Sequence, residues 1–370
     1  MSRSVNIGAI GVGAFMARTH LPNIRRNPNI RIHTLCDVNA ELLEQRRREY
    51  QPARCTTKAE DVFRDPEIDA VLVGTRGARH ASFIELAARY GKHIYVEKPM
   101  TQTYDETRQV LAVLKGVDIN VGVGFNRRFA PGMLEARRLF QGYKDGKAAN
   151  IVYRIVDDHR VRPHYVFDLN DGGGHLLAEG CHIFDLLAWF LDEEPVEIFA
   201  AGPLETDNAV ILKYSGGSLA TMLCGGKGGL FYPKELLESF CNNRTLVLDN
   251  FFELRLDGPG GNCIRTFPPA GENKIRPDED SMTGFYRKEF AARPDYDIAE
   301  VHLGGKSFPT PSLDKGHASA MAEFAAAVAE GRRFAINAVD GARATVCALK
   351  AYDSIRQNRP VAIDPAEYGA

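Results

Sequence analysis

Gly11-Val12-Gly13 lies between a short apolar run, residues 4–10, and a stretch of helical spacing, residues 14–23. This junction constrains the fold more than any other feature of the chain. A glycine at position 11 permits a tight turn, and one at 13 lets a ligand approach the backbone. The helix start that follows offers free N–H groups and the positive end of its dipole, a combination that holds a pyrophosphate. The alternation then repeats. Residues 30–36 read as a strand ending at Asp37, and 40–50 as a charged helix. Residues 70–73 are an unbroken apolar run suited to a strand buried on both faces. Residues 80–90 form an amphipathic helix stopped by Gly91, 93–96 a strand, 104–115 a helix and 119–125 a strand. Successive β-α-β units with short links predict an α/β Rossmann domain, a doubly wound parallel sheet, over residues 1–123.

Beyond residue 124 the pattern changes. Helices are expected at 131–141, 175–191, 315–330 and 339–357. Residues 149–156 read as a strand, and within 195–257 so do 196–200, 209–214, 219–224, 245–248 and 253–256, joined by turns such as Ser215-Gly216-Gly217. Residues 258–277 are a Gly/Pro-rich loop. The segment 124–370 is therefore expected to be a second, α+β domain with a large, mainly antiparallel open sheet. A chain of 370 residues also exceeds the usual size of one hydrophobic core.

Composition narrows the function classes. The net charge is −2, so no electrostatic footprint for nucleic acid is expected. No apolar run approaches the roughly 18 residues a membrane span needs. Residues 5–16 are apolar after Arg3, but Asn6, Gly8, Gly11 and Gly13 interrupt them, so they read as structure rather than a signal peptide, and a cytoplasmic protein is expected. The seven cysteines are odd in number and lack any C-x-x-C pair, which argues against a disulfide framework and a zinc site. Glu179, His182 and Asp185 recur at helical intervals, yet no H-E-x-x-H spacing or Cys/His cluster exists, so no metal is expected.

The residues of the first turn carry the cofactor expectation. Gly11, Gly13, Ala14, Phe15 and Met16 span it, with Met16 where the fingerprint usually has Gly or Ala. Thr75 follows the strand at 70–73. Asp37 ends the second strand, where a carboxylate accepts hydrogen bonds from both ribose hydroxyls and repels a 2′-phosphate, favouring NAD over NADP. Glu97-Lys98-Pro99 follows the strand at 93–96, at the strand end where α/β folds bind ligands. A lysine there can polarise a substrate oxygen, with Pro99 fixing the turn that aims it.

These motifs together, with Gly124-Phe125-Asn126-Arg127-Arg128-Phe129, the run Gly172-Gly173-Gly174-His175 through Glu179-Gly180-Cys181-His182 to Leu187, and Lys315-Gly316-His317, resemble the glucose–fructose oxidoreductase, inositol dehydrogenase and rhizopine-catabolism (Gfo/Idh/MocA) family. Tyr232 to Glu235 and Leu248 to Phe251 resemble a branch often found with sugar-modifying enzymes. The resemblance implies a nicotinamide-dependent oxidoreductase acting on a sugar, a sugar derivative such as a nucleotide sugar or uronate, or a cyclitol. It implies that Glu97 and Lys98 lie at the cofactor, that Lys98 also contacts substrate, and that His182 is the acid/base. It further implies a homodimer or homotetramer formed through the open sheet. The family's aspartate four residues before the histidine is Ala178 here, and Glu179 stands one place later. Three apart on a helix, Glu179 and His182 share a face, although the shift turns Glu179 about 100° from the usual position. Arg127, Arg160, His164, Tyr165 and Asp168 are the candidate substrate contacts. A redox-neutral, NAD-dependent glycosidase and a non-enzymatic NAD(P)-sensing regulator are the competing functions on such a scaffold.

Overall fold

The structure is a computed structural model that describes residues 4–158, 164–229, 232–267, 284 and 313–370. The chain divides into two compact units. The first comprises Met1–Asn126, Gly316–Leu349 and Asp364–Ala370, and the second Arg127–Lys315 and Lys350–Ile363.

In the first unit, β1 (Val5–Ile10), β2 (Ile30–Cys36), β3 (Arg54–Thr56), β4 (Ala70–Val73), β5 (His93–Val96) and β6 (Val121–Val123) form one sheet in the order β3-β2-β1-β4-β5-β6. Every neighbouring pair is parallel, so each connection must cross over, and the intervening helices cover both faces. This explains the unbroken apolar text of β4, whose four residues are fully buried. Each such Val or Leu contributes about 1.5–3 kcal/mol of burial. The helices are α1 (Leu21–Arg26), entered through a π turn at Met16–His20, then α2 (Ala40–Tyr50), α3 (Ala59–Arg64), α4 (His80–Tyr90) and α5 (Tyr104–Leu114). Asn39 caps α2 by accepting from the N–H of Leu42, and Thr103 caps α5 by accepting from that of Glu106.

The register places the strand ends in one row. Cys36, Ile10, Val73, Val96 and Val123 are successive partners across β2, β1, β4, β5 and β6. The residues that follow them, Asp37, Gly11, Gly74, Glu97 and Gly124, therefore line the carboxyl rim of the sheet side by side.

The second unit holds α6 (Pro131–Lys144) and α7 (Cys181–Leu191), the latter preceded by a π turn at Leu176–Gly180. Its described strands form a nine-stranded sheet. These are β7 (Asn150–Val156), β8 (Pro195–Ala201), β9 (Asn208–Tyr214), β10 (Leu219–Gly225), β11 (Glu235–Cys241), β12 (Arg244–Asp249), β13 (Glu253–Asp257), β14 (Cys263–Thr266) and β15 (Val361–Ala362), ordered β14-β13-β12-β11-β7-β10-β9-β8-β15. Only the β7–β10 pair is parallel, so the sheet is mainly antiparallel, as the sequence suggested. β9 alternates buried and exposed along its length, which is a strand with one covered face. The other face leaves Val152, Ile211, Leu219, Leu223 and Phe240 exposed.

β11 is a strand that residue pattern alone did not reveal. Its buried positions are Glu235, Leu237, Ser239 and Cys241, so two polar residues occupy the covered side and blur the alternation. Both are satisfied internally: Ser239 lies 3.3 Å from the Tyr143 hydroxyl, and Glu235 has three partners described below. The Gly/Pro-rich stretch expected as a loop at 258–277 is described only as far as residue 267, and within it Cys263–Thr266 are not loop but the strand β14, paired with β13. Among the described residues no helix is long and apolar enough to cross a membrane, and no cluster of His, Cys, Asp and Glu could hold a metal ion.

Candidate active site

The rim of the parallel sheet carries the first group of candidates. Gly11 has φ +80°, and a Cβ there would lie 2.7 Å from Thr75 Cγ2, so the turn admits only glycine. A Cβ on Gly13 would meet nothing within 4 Å, leaving open space beside the backbone. Ala14 and Phe15 are exposed, whereas Met16 is fully buried. Met16 fills the position where the fingerprint uses a small residue for close helix–strand packing. The space is recovered on the facing strand: a Cβ on Gly74, just past β4, would lie 2.6 Å from Met16 Cγ. The small residue has moved from helix to strand.

Asp37 ties the loop together. One carboxylate oxygen accepts the Val12 N–H at 2.9 Å and the other the Asn39 N–H at 2.9 Å. An ionised carboxylate has about four acceptor sites, so it retains capacity for two ribose hydroxyls. Thr75 presents its carbonyl to His80 Nε2 at 3.1 Å, and the Pro99 carbonyl meets His80 Nδ1 at 2.7 Å. The fully buried His80 thus bridges the turns after β4 and β5.

Glu97 points into the domain rather than outward. It is 7% exposed, and its Oε1 lies 2.7 Å from Nε2 of the fully buried His20. Its Oε2 accepts the Lys98 N–H at 3.3 Å. Burial pushes the Glu97 acid up, but the His20 hydrogen bond, with positive charge from His20, Lys98 and His317, outweighs burial and holds it below the usual range. His20 sits at the end of the π turn, with the rings of Phe15, Tyr95 and His317 around it at 5.5, 5.9 and 6.3 Å. The sequence pattern did not single out His20, which lies within the stretch of helical spacing at 14–23.

In the second unit, Glu179 and His182 are both buried at the π-to-α junction of one helix. Wider winding in the π turn changes the angle that an ideal helix would set between them. Glu179 Oε2 accepts from Lys234 Nζ at 2.9 Å and lies 3.9 Å from Arg127 Nη2. Lys234 also reaches Asp157 at 2.8 Å. Alongside, Arg127 grips Glu235 through Nε and Nη2 at 2.7 and 2.8 Å, and Tyr153 Oη and Lys315 Nζ donate to the same carboxylate at 2.8 and 2.7 Å. Burial raises the Glu235 acid, but Arg127, Lys315 and Lys234 dominate and hold it well below the carboxylate range. Burial pushes the Lys315 amine down to about 8, against the pull of Glu235. The partners Lys234 and Glu235 fall in the Tyr232–Glu235 motif, whose chemistry spacing alone did not disclose.

The substrate candidates separate. Arg127 is 4% exposed and committed to Glu235. His164 and Tyr165 are exposed on a 3-10 turn. The Asp168 carbonyl accepts the N–H groups of Gly172, Gly173 and Gly174, and its side chain accepts that of Asn170, so Asp168 shapes the glycine turn before the helix. A Cβ on Gly174 would lie 2.4 Å from Tyr352 Oη, which accounts for one of the three glycines. Arg160 lies outside the described residues.

Comparison with known proteins agrees with this geometry. Residues 5–125 match the model of an oxidoreductase family with an NAD-binding Rossmann fold, GFO_IDH_MocA. The chain is 28% identical over 261 residues to an oxidoreductase, YrbE, of Bacillus subtilis (strain 168), covering 68% of this chain and 75% of that protein. It is 26% identical over 360 residues to the inositol 2-dehydrogenase of Rhizobium meliloti (strain 1021), covering 97% and 99%. In fold it is similar to levoglucosan dehydrogenase solved with NADH, with TM-score 0.78, 19% identity, and coverage of 98% of this chain and 100% of that one. The residues present fit NAD: an open space over Gly13, a helix start behind it, and a carboxylate at the end of β2.

Proposed function

We propose that this chain is an oxidoreductase of the Gfo/Idh/MocA kind, whose family model its first domain matches, and that with NAD bound there it oxidises a secondary hydroxyl of a sugar, sugar derivative or cyclitol, or reduces the matching ketone. NAD, when bound, supplies the hydride acceptor. Gly11, Gly13, Ala14 and Phe15 would hold its pyrophosphate, and Asp37 its ribose. The observation that carries the proposal is the common rim of β1, β4 and β5, on which the glycine turn, Thr75 and the Glu97-Lys98 turn are neighbours.

In this reading the Lys98 ammonium donates to the substrate oxygen and favours the negative charge that develops there. His182 takes the hydroxyl proton, a task suited to a side chain whose unperturbed pKa lies near neutrality. Glu179, held by Lys234, is a positioning residue on the same helix as His182. The inositol 2-dehydrogenase and levoglucosan dehydrogenase likenesses support a polyol or sugar substrate. The exposed apolar residues on the outer face of the nine-stranded sheet support a homodimer or homotetramer through that face. The seven free cysteines suit the reducing cytoplasm.

The test is turnover. The protein is assayed with NAD and NADP against cyclitols, free sugars, uronates and nucleotide sugars, following absorbance of the reduced nicotinamide, with Lys98→Ala and His182→Ala in parallel. NAD-linked turnover lost in both variants is the expected result. Cofactor binding with glycoside cleavage and no net reduction would replace the proposal with a redox-neutral glycosidase. Binding with no reaction would replace it with a sensor. Light scattering of the purified protein checks the assembly, and a monomer would refute it.

A further inference from the structure

Resting on the role proposed for Lys98, we propose that His20 is a positioning residue that acts on that lysine through its chain neighbour Glu97, by keeping that carboxylate ionised. Geometry carries the inference. His20 and Glu97 come from different elements, the first helix and the turn after β5, and meet at 2.7 Å with His20 0% exposed. The other ring nitrogen, Nδ1, has no hydrogen-bond partner among the described residues, so the polar function of this imidazole is its bond to Glu97. The carboxylate is seated against Gly124, where a Cβ would lie 2.8 Å from Oε2 and 2.9 Å from Oε1. Its second oxygen binds the Lys98 N–H. The π turn at Met16–His20 delivers the ring to this place directly from the glycine loop.

The physical consequence is a charge relation. A buried carboxylate without a donor gives up its charge, because desolvation penalises the ionised form. Burial is the largest influence on Glu97 and acts upward. The His20 hydrogen bond is the largest opposing one, ahead of the charges of Lys98 and His317. Two other titratable groups, Tyr95 and His317, stand edge-on to the His20 ring, and the Tyr95 hydroxyl is pushed far up by burial and by Glu97 itself. His317 faces Asn126, with Nδ1 3.5 Å from Asn126 Nδ2. With His20 removed, Glu97 keeps only the longer bond from the Lys98 N–H, so burial favours its protonated form and weakens the negative charge next to Lys98. An ammonium that loses a neighbouring anion gives up its proton more readily, so Lys98 would titrate lower.

The experiment reads Lys98 directly, without cofactor. Lysines are reductively methylated with ¹³C, the Lys98 resonance is identified by its loss in Lys98→Arg, and its pH titration is followed by NMR. His20→Phe keeps the ring volume among its aromatic neighbours and removes the donor. It should lower the Lys98 midpoint by about one unit, the effect of one neighbouring charge near a protein surface. Glu97→Gln should do the same, and His20→Gln, whose amide N–H reaches where Nε2 stood, should restore most of the difference. If His20→Phe does not fold, His20→Asn, too short to reach the carboxylate, carries the same test. Unchanged Lys98 midpoints in the donor-less variant and in Glu97→Gln overturn the proposal. In turnover, the alkaline limb of kcat/KM should move to lower pH in His20→Phe by the same amount. Wild-type turnover in Lys98→Ala would instead remove the role of the lysine in the reaction, while the NMR titration still decides what His20 does to it.

Discussion

The packing of Met16 on Gly74 lends itself to a quantitative test. Met16 is fully buried, and a methyl group at position 74 would stand 2.6 Å from its Cγ, 3.1 Å from Sδ and 3.2 Å from Cε. Because the nearest atom is Cγ rather than the chain end, the whole side chain must change rotamer in a filled space. Gly74→Ala should therefore cost about 1–3 kcal/mol as overpacking. Met16→Ala should cost about 2–5 kcal/mol through lost burial and the cavity left behind. In the double variant the new methyl enters the vacated space. The combined cost should then fall short of the sum by about 1–3 kcal/mol, a coupling expected only of residues in contact. Thermal unfolding of the NAD-free protein, followed by circular dichroism, is the assay. For a domain of this size each kcal/mol moves the midpoint by about 2–4 °C. Additivity to within about 0.5 kcal/mol, or a neutral Gly74→Ala, would show that the strand glycine does not substitute for the missing small residue of the helix.

Three further outcomes are expected. Gly13→Ala should leave the melting temperature of the free protein almost unchanged, because its methyl meets nothing within 4 Å, yet weaken NADH binding tenfold or more in a fluorescence titration; unchanged affinity would place the pyrophosphate elsewhere. Asp37→Ala should weaken NAD binding by about 10- to 100-fold, the loss of hydrogen bonds to a charged group, and narrow the preference over NADP when both are titrated. Glu235→Gln should cost about 3–5 kcal/mol, since it strands Arg127 and Lys315 around a neutral amide. The acid of Glu235 is lowered on folding from its ordinary 4.5, so its stabilisation is complete above that value and lost as pH falls through the folded one. The stability gap between wild type and Glu235→Gln should thus be flat from about pH 5 to 6 and close in stronger acid, as measured by urea unfolding across pH; toward pH 8 it should change again, because Lys315, already held down to about 8 beside Glu235, titrates lower still without it. A gap that closes with acid while the pH is still above about 5 would contradict the assigned pairing.

How much of this was written in the sequence depends on the range of the interaction involved. Strand and helix periods, the Gly11–Gly13 turn, Asp37 at the end of β2 and the Glu97-Lys98-Pro99 turn all follow from neighbours a few residues apart. Local backbone geometry and one-sided burial imprint directly on residue order. The same reasoning failed at β11, where Glu235 and Ser239 stand on the covered face and the apolar alternation is lost. It also left open how Glu179 stands toward His182, because ideal α geometry does not hold through a π turn.

What tertiary structure alone decided is the pairing of buried polar groups. His20 lies 77 residues from Glu97, and Arg127 lies 108 from Glu235, and no periodicity links either pair. Nor does anything local announce that Gly74 makes room for Met16. A buried charge must find a partner or lose its charge, and a buried side chain must find space. Both demands are met by whatever the fold brings near. The sequence by itself determined that there would be a parallel sheet with a dinucleotide rim and a lysine at its edge, and the packing of distant segments determined which groups hold that rim in place.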